Sequence, residues 1–299
     1  MKVLVFGSLN IDRTYRVSHL VKPGETLSAE SLSFFCGGKG FNQAIALKRA
    51  GLDVYFAGAV GEDGQALLDA LDQNGIDRQF VLKLPSSTGH AVIQVDDAGQ
   101  NSIIILAGTN GQITEDHIRK VLEHFQPGDL LVAQNEISNV DTLIRLGAEK
   151  GMHIAFNPAP YNDALLACDL DCVDYLIINE TEGAGLTGCF ETGEILRVLR
   201  ERHPNIRVVL TLGGQGSVYV NEAGDWTRCG IYPVKAVDTT AAGDTFSGYF
   251  LSRISSKAAA AEALEMAAVA AGISVSRKGA EPSIPGLQEV LAALQDWKK

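Results

Sequence analysis

The chain has 299 residues, of which 46% are hydrophobic and 20% charged, and 36 acidic against 25 basic residues give a formal net charge of −11. This length and apolar content exclude a disordered chain and provide for one large domain or two smaller ones. The acidic balance argues against a nucleic-acid-binding protein, since neutralising phosphates requires clustered lysine and arginine. A phosphorylated small ligand remains compatible, because a few backbone amides and one cation can hold it.

The sequence also lacks clear targeting, membrane and metal signals. The apolar start, 1–6, ends at Gly7 and is shorter than the roughly 7–15 apolar residues of a signal sequence. The most apolar stretch, 258–275, is interrupted by Glu262 and Glu265, which indicates an ordinary helix and not a membrane span. The six histidines form no ligand cluster. Five cysteines without a C-x-x-C pair indicate reduced thiols, so we expect a cytoplasmic protein.

Short apolar runs alternate with helical patterns along the first two thirds of the chain. The runs predict buried strands at 2–7, 53–60, 129–133, 152–156, 173–178 and 206–211. Helices are predicted at 42–50, 65–73, 115–124, 139–150, 181–186 and 193–202, and then at about 243–254, 258–276 and 286–297. The alternation predicts an α/β fold in which helices cover both faces of a parallel sheet.

Residues 11–35 and 89–107 do not fit this alternation. Each segment has two short β-like runs around a turn, which is Lys-Pro-Gly-Glu at 22–25 and Asp-Asp-Ala-Gly at 96–99. We expect the two pairs to form a small extra sheet that projects from the main domain. Because no linker or internal repeat divides the chain, we expect a single domain over 1–299.

The segment 238–244, Asp-Thr-Thr-Ala-Ala-Gly-Asp, stands at the start of a predicted helix. Its small residues let the backbone approach a ligand, and the free amides of a helix start attract anions. Asp244 then has two interpretations, a helix cap or a general base beside a phosphoryl site. The segment alone leaves both open.

A second Gly-rich segment, 37–43, reads Gly-Gly-Lys-Gly-Phe-Asn-Gln and precedes another predicted helix. It matches neither the P-loop nor the G-x-G-x-x-G pattern. One interpretation is a turn into the helix with Asn42 as its cap. The other is a close approach of the backbone to a polar ligand, where Lys39 and Asn42 bind hydroxyl groups.

Three more polar segments lie at the carboxyl ends of predicted strands, where open α/β sheets bind ligands. They are Asn-Glu-Thr-Glu at 179–182, Thr-Leu-Gly-Gly-Gln-Gly at 211–216 and Asn-Ile-Asp at 10–12. Taken alone, the first indicates a capping arrangement at a helix start. The second is a Gly-rich turn that could contact phosphates, and the third is most simply a turn.

In their order and spacing these segments resemble the ribokinase family, the PfkB-type carbohydrate kinases, over essentially the whole chain. The segments 37–43 and 238–244 match the two family signatures, and this pair is specific. The resemblance implies a doubly wound, mainly parallel sheet between helices, with a small β-sheet lid from about 11–35 and 89–107. It also implies an ATP-dependent kinase that phosphorylates a sugar hydroxyl.

The resemblance further implies the sugar and the residues that act on it. Segments 23–26, 156–160 and 179–182 resemble members that convert D-ribose to ribose 5-phosphate. Asp244 would take the proton from the sugar hydroxyl, and the phosphoryl group would meet the amides of Ala241, Ala242 and Gly243. The implied sugar-binding residues are Asn10, Asp12, Gly38, Lys39, Asn42, Glu136 and Asp244. The implied ATP-binding residues are Asn179, Thr211, Gly213, Gly214, Gly216, Gly243 and Ala268.

Two metal ions and a second subunit are implied as well. Glu182 would hold Mg²⁺ through water. K⁺ would bind beside the anion-binding turn, several of its ligands being carbonyl oxygens, at Asp238, Thr240, Ser274, Arg277, Gly279 and Ser283. Because the family's lid commonly makes a dimer contact, we expect a homodimer, and neither a nucleic acid nor a membrane as partner.

Two positions depart from the family pattern. Phe41 stands where these kinases usually have alanine, so its ring either narrows the sugar pocket or packs into the sheet. Ala268 stands near a position where some members place a histidine against the adenine. The alternatives left open are a kinase for deoxyribose, a ketohexose or a nucleoside, and a non-catalytic sugar or nucleotide sensor. A sensor would not need the Asp244 carboxylate, and a dinucleotide-binding dehydrogenase is excluded because no G-x-G-x-x-G follows the first strand.

Overall fold

The computed structural model describes residues 1–162, 165 and 168–298, and this part of the chain alternates between strands and helices. The strands are β1 (Val3–Phe6), β2 (Asn10–Arg16), β3 (Ser31–Gly37), β4 (Val54–Val60), β5 (Asp77–Lys83), β6 (Gly89–Val95), β7 (Asn101–Leu106), β8 (Leu130–Gln134), β9 (His153–Asn157), β10 (Tyr175–Asn179), β11 (Arg207–Thr211), β12 (Ser217–Val220) and β13 (Trp226–Cys229). The helices are α1 (Lys39–Arg49), α2 (Gln65–Gln73), α3 (Glu115–Leu122), α4 (Val140–Glu149), α5 (Glu180–Thr187), α6 (Thr192–Arg202), α7 (Ala242–Ser255), α8 (Ala260–Val275) and α9 (Leu287–Trp297).

Nine strands form the main sheet in the order β13-β12-β11-β10-β9-β8-β1-β4-β5. Neighbouring strands are parallel from β5 across to β11, and β12 and β13 add an antiparallel edge. This confirms the mainly parallel α/β fold and all six predicted strands. The sequence missed β5 and β13, which lie at the two edges, and β12, which lies next to β13. Side chains of β5 and β13 are partly exposed, so these strands lack the continuous apolar run that marks a central strand, and β12 is a buried run of only four residues.

Helices cover both faces of this sheet, as the alternation of side chains in β1 shows. Val3 and Val5 belong to the core formed with α1, α2, α7, α8 and α9. Leu4 and Phe6 point the other way, into the core formed with α3, α4 and α6. The Ala-rich α8 is buried in the first of these cores. Within the described ranges, no helix combines the length and the apolar character that a bilayer crossing requires.

A separate four-stranded sheet has the order β3-β2-β6-β7. Its outer pairs, β2 with β3 and β6 with β7, are antiparallel, and the parallel pairing of β2 with β6 joins them. The predicted strand pairs at 11–35 and 89–107 are therefore present and form one small sheet, as expected. Each strand of the small sheet is connected at one end to an element of the main domain. The residues at these connections therefore lie close to the main sheet.

Two helices of the first core approach each other closely and bring distant parts of the chain together. A Cβ atom on Gly248 of α7 would overlap the side chain of Ala46 in α1. A Cβ on Gly40 of α1 would in turn lie within 2.5 Å of the backbone nitrogen of Ser8, just after β1. These contacts hold the start of α1 against the end of β1, and they pack the second half of α1 against the middle of α7.

Candidate active site

The carboxyl ends of the parallel strands and the starts of α1 and α7 meet at one edge of the main sheet. Asn10 follows β1, Glu136 follows β8, and Asn179 ends β10. Lys39 begins α1, and Asp244 lies in the first turn of α7. This is the position at which open α/β sheets bind ligands, so the fold gathers here most of the residues that the sequence selected.

Asp244 is 7% exposed, and its carboxylate is held from α1. Asn42 Nδ2 donates to Oδ2 over 3.1 Å, and Gln43 Nε2 donates to Oδ1 over 3.0 Å. The N-cap of α7 is Ala241, which makes no side-chain capping bond. The capping interpretation of Asp244 is therefore wrong, because its side chain is bound to another helix. Asn42 does not cap α1 either, since that helix begins three residues before it.

The turn that precedes Asp244 has a strained start. Ala241 has a φ of 59°, in the left-handed region that alanine rarely adopts. The first intrahelical bond of α7 runs from the Thr245 amide to the Ala241 carbonyl over 2.8 Å. The amides of Gly243 and Asp244 stand before that bond and lack a partner in their own helix. The Ala242 amide differs from them because it donates to the Thr239 carbonyl over 3.2 Å.

One lysine lies among three carboxylates in this site. Glu136 accepts a short hydrogen bond from the Ser8 hydroxyl and one of 2.9 Å from the Lys39 backbone amide. Burial raises the pKa of Glu136, while these two bonds and the Lys39 charge lower it. Burial alone would lower the pKa of Lys39, but the charges of Asp244, Glu136 and Glu182 raise it above its ordinary value. Lys39 therefore carries a positive charge at neutral pH.

Asp12 lies in β2 of the small sheet, with its carboxylate against Gly37. A Cβ atom at Gly37 would overlap that carboxylate, so any larger residue there would displace the Asp12 side chain. Burial raises the pKa of Asp12 to about 7, and the charge of Glu136 adds to the effect. Asp12 is thus poised to change its protonation state near neutral pH.

Two buried asparagines carry groups suited to a ligand with hydroxyls. Asn10 Oδ1 accepts from Asn110 Nδ2 over 2.8 Å, which fixes the direction of the Asn10 amide. Asn42 is 6% exposed, and within the described part of the chain its Oδ1 has no hydrogen-bond partner. A buried oxygen without a partner costs free energy unless a ligand or water donates to it. Asn42 Oδ1 is therefore an acceptor left open for a ligand.

Asn179 and Glu182 form a capping box at the start of α5. The Glu182 amide donates to Asn179 Oδ1 over 2.9 Å, and Glu182 Oε2 accepts from the Asn179 amide over 3.0 Å. The capping interpretation of this segment is confirmed. Burial raises the pKa of Glu182 above its ordinary value. The hydrogen bond from the Asn179 amide and the charge of Lys39 lower this pKa, but burial outweighs them. Among the described residues no three His, Cys, Asp or Glu side chains cluster as a metal cage. A lone carboxylate fits Mg²⁺, which keeps several waters and binds mainly to substrate phosphates.

The loop after β11 presents backbone beside Asn179. Thr211 Oγ1 donates to the Ile178 carbonyl over 3.3 Å, and the loop continues as a short 3₁₀ turn, Gly213–Gln215. A Cβ atom at Gly213 or Gly214 would meet open space. Ala268 is buried in α8, which packs against β12 and β13, the strands that follow this loop.

Asp238 joins the segment before α7 to the segment after α8. Its Oδ1 accepts from the amide and the hydroxyl of Thr240 over 2.9 and 2.6 Å, and its Oδ2 accepts from the Gly279 amide over 2.9 Å. Burial would raise the pKa of Asp238, but these bonds outweigh it and lower the pKa. The Ser274 and Ser283 hydroxyls are buried and bonded to each other over 2.8 Å. The Arg277 guanidinium pairs with Glu289, so only the backbone of Arg277 could face a cation. These oxygen groups suit a hard monovalent ion, which carbonyl and carboxylate oxygens coordinate.

The Phe41 ring is fully buried in the core beneath α1. Its neighbours in that core include Leu9 and Ile45. Of the two outcomes expected for this departure, packing into the sheet is therefore the one found. The substitution changes the core and not the lining of the site.

Sequence reasoning missed four buried or partly buried amides beside the site. Gln134 ends β8 and Asn157 ends β9, so the strand-end rule that selected Asn179 could have found both. Gln43 stood inside a motif without an assigned role. Asn110 had no signal in the sequence, because only the fold brings it to Asn10.

A buried carboxylate at a helix start, at the carboxyl edge of a parallel sheet, is an arrangement that suits phosphoryl transfer. The chain matches the model of the family described as pfkB family carbohydrate kinase over residues 1–287. The chain belongs to this family, and it is an ATP-dependent carbohydrate kinase.

Three known proteins show how similar the relatives are. A ribokinase of Haemophilus influenzae is 35% identical over 303 residues, which covers 97% of each chain. A deoxyribokinase of Salmonella typhi is 31% identical over 302 residues, with 97% of each chain covered. The structure of Arabidopsis thaliana ribokinase complexed with ribose and ATP has a TM-score of 0.86 at 32% identity and covers 98% of each chain.

Proposed function

We propose that this protein transfers the γ-phosphoryl group of ATP to the 5-hydroxyl of D-ribose, giving ribose 5-phosphate and ADP. The observation that carries the proposal is the Asp244 carboxylate, held by Asn42 and Gln43 at the start of α7. A sensor that only binds sugar has no use for such a base. The similarity to ribokinases over nearly the whole chain supports ribose as the sugar.

In the proposed reaction Asp244 accepts the proton of the sugar hydroxyl as its oxygen attacks the γ-phosphorus. The bond to the β-phosphate oxygen breaks, and ADP leaves with the electron pair. The amides at the start of α7, chiefly those of Gly243 and Asp244, face the charge that develops on the transferring group. Ala241 and Ala242 shape this turn. Such positioning and charge stabilisation account for most of the catalysis of phosphoryl transfer.

The sugar is proposed to lie between the start of α1 and the small sheet. Asp12 and Glu136 would accept bonds from its hydroxyls, and Lys39 would donate to them. The open Asn42 Oδ1 would accept another. Asn10 and the backbone at Gly38 complete the pocket. A carboxylate can accept from two neighbouring hydroxyls at once, which favours ribose over deoxyribose.

The nucleotide is proposed to bind along the loop after β11, at Asn179, Thr211, Gly213, Gly214 and Gly216. Ala268 of α8 would border the adenine. Mg²⁺ would neutralise charge on the ATP phosphates, with Glu182 holding it through water. K⁺ would order the turn before α7 and would be held by oxygens of Asp238, Thr240, Ser274, Arg277, Gly279 and Ser283.

A homodimer through the small sheet is proposed because apolar side chains of its two outer strands, β3 and β7, are exposed. Phe34 and Ile104 are 62% and 66% exposed, and the register puts them in one row across β3, β2, β6 and β7, on one face. Asp12 points to the opposite face, which would cover the sugar. Apolar patches of this kind mark interaction surfaces. A second copy would cover the face of Phe34 and Ile104, and the sheet would act as a lid on a single domain.

The cytoplasm is the proposed location. The five cysteines are all free in the structure, and Cys168 is buried. Unpaired thiols persist in a reducing compartment, where ATP is also the available phosphoryl donor.

The experiment that tests the proposed function is an ADP-release assay over pentoses, hexoses and nucleosides at equal concentrations. We expect the highest kcat/KM for D-ribose. We expect 2-deoxyribose to be at least about tenfold worse, because an unpaired buried partner costs roughly 1–3 kcal/mol. A preference for deoxyribose, which the similarity to deoxyribokinases makes the second candidate, would replace the substrate but not the chemistry. ADP release from none of these acceptors would overturn the kinase assignment.

A further inference from the structure

Gln43 lies beside Asn42 in α1, and in the reaction proposed above it contacts neither a substrate nor the transferring group. Its side chain is 1% exposed, and all of its polar atoms are bonded. Nε2 donates to Asp244 Oδ1 over 3.0 Å and to Asn157 Oδ1 over 3.2 Å. Oε1 accepts from Gln134 Nε2 over 2.8 Å. Gln43 is thus the residue through which the site carboxylate connects to the ends of β8 and β9.

Asp244 and Asn157 fix the orientation of the Gln43 amide from two sides. An ionised carboxylate only accepts hydrogen bonds, so Asp244 requires the NH₂ group of Gln43. Asn157 Nδ2 donates to the Ile177 carbonyl over 2.8 Å, which leaves its oxygen toward Gln43. Gln134 offers a donor to the Gln43 oxygen. A flipped Gln43 amide would place its oxygen against two oxygens and its NH₂ against another NH₂.

We propose that Gln43 is a positioning residue for the base, and this rests on the proposed function of Asp244. Asn42 holds one carboxylate oxygen of Asp244 and Gln43 holds the other, so the carboxylate cannot rotate away from the sugar hydroxyl. An amide neither takes nor gives a proton at neutral pH, so Gln43 acts only through Asp244. Gln134 extends this by fixing Gln43, and the space for Gln134 depends on Gly7, where a Cβ atom would overlap the Gln134 oxygen.

The test compares Gln43→Leu with a matched control, Ser252→Ala. Ser252 of α7 donates to the Ala50 carbonyl at the end of α1 over 3.1 Å. The Ser252→Ala variant therefore loses one buried hydrogen bond between the same two helices, at a position far from Asp244. We expect kcat of Gln43→Leu to fall about 10- to 100-fold, as misplacement of a reacting group by about 1 Å does. The KM values for sugar and ATP should change little. A kcat equal to that of Ser252→Ala overturns the proposal.

A double-mutant cycle with Asp244→Asn separates the positioning role from the base assignment. If Gln43 acts through Asp244, the double variant is no slower than Asp244→Asn alone. Multiplied effects overturn the positioning role, because Gln43 would then act elsewhere. A wild-type turnover in Asp244→Asn alone overturns the base assignment, and this outcome is visible without any Gln43 variant.

Gln43→Glu gives a second readout, which tests whether the Gln43 side chain lies against the Asp244 carboxylate and which remains if Gln43→Leu does not fold. The new carboxyl group would lie against Asp244, and two such groups share a proton. Lys39, Glu136 and Glu182 are the other charged groups whose fields act around Asp244, and they remain unchanged. We expect the acid limb of the kcat profile to shift to higher pH. A profile identical to that of the wild type overturns the proposal.

Discussion

Asn42 Nδ2 donates to Asp244 Oδ2 across 3.1 Å, although 202 residues separate the two in the chain. The same Asn42 side chain leaves its Oδ1 buried and open. One amide therefore faces the base with its nitrogen and the proposed sugar position with its oxygen. The bond joins the segments 37–43 and 238–244, which the sequence selected independently, and in the proposed function it would link sugar binding to the orientation of the base.

Substitution of Asn42 should affect both sugar binding and turnover for this reason. We expect Asn42→Leu to raise the sugar KM and to lower kcat, while the KM for ATP stays near the wild-type value. Loss of a hydrogen-bonding partner next to a buried charged group costs about 1–3 kcal/mol, or roughly 5- to 150-fold. Steady-state kinetics with each substrate varied in turn measures this. A change confined to the ATP KM would contradict the assignment.

Sugar binding should weaken as the pH falls below about 7. Burial raises the pKa of Asp12 to about 7 in the free protein, and sugar hydroxyls bind its ionised form. Protonation then competes with the sugar, so KM for the sugar should rise by up to about tenfold per pH unit well below the pKa, the limit for one linked proton. Kinetics between pH 6 and 8 at saturating ATP measures this slope.

Asp12→Asn is the control for that pH dependence. It keeps the size of the side chain and removes the titrating group. We expect the variant to bind sugar more weakly at pH 8 and to lose most of the slope. The buried Glu136, whose pKa is also raised, titrates in the same direction. If the pH dependence of the sugar KM were unchanged in Asp12→Asn, protonation of Glu136 and not of Asp12 would account for it.

A monovalent cation should activate the enzyme through the segment that Asp238 holds. Asp238 ties Thr240, just before α7, to Gly279, after α8. Carbonyl oxygens replace the hydration shell of K⁺ at a lower cost than that of the smaller and more strongly hydrated Na⁺, so we expect a higher kcat in K⁺ at matched ionic strength, fixed ATP and fixed Mg²⁺. Asp238→Asn should reduce the difference. Equal rates in the two salts, after contaminating K⁺ has been measured and excluded, would contradict the proposed K⁺ site.

Phe41 should contribute to stability and not to sugar choice. Its ring is fully buried in the core, so Phe41→Ala should lower the free energy of unfolding by about 3–5 kcal/mol. The sugar KM of the folded variant should stay near that of the wild type. Phe190 is 86% exposed, and Phe190→Ala should change stability by less than about 0.5 kcal/mol. Urea unfolding measures both, and a large change in sugar KM for Phe41→Ala would mean that the ring reaches the pocket.

The proposed dimer should depend on the outer face of the small sheet. We expect the wild-type protein to sediment at twice its chain mass of 31.9 kDa. Ile104→Lys places a charge in the proposed interface and should give the single-chain mass, because a buried unpaired charge is costly. Leu291→Lys, on the exposed side of α9, is the matched control and should leave the mass unchanged. A wild-type protein that sediments as a single chain at micromolar concentration would overturn the dimer.

The central strands and the helices could be predicted from the sequence because each is marked by local periodicity. The apolar runs that became β1, β4, β8, β9, β10 and β11 are buried on both faces, so they need no knowledge of their partners. The edge strands β5 and β13 were missed because many of their side chains are exposed, and β12 was missed because it is only four residues long, although it is buried. Their place is decided by pairing with neighbours, which a local pattern does not contain.

The sequence by itself determined the family-like segments 37–43 and 238–244, and with them the class of ligand. It could not decide what their side chains do. Asp244 reads equally as a cap or a base until α1 and α7 are packed together, which the close approach at Gly248 allows. Only then do Asn42 and Gln43 reach the carboxylate. Hydrogen-bond partners far apart in the chain are set by the packing of elements, and so the tertiary structure alone decided how the base is held.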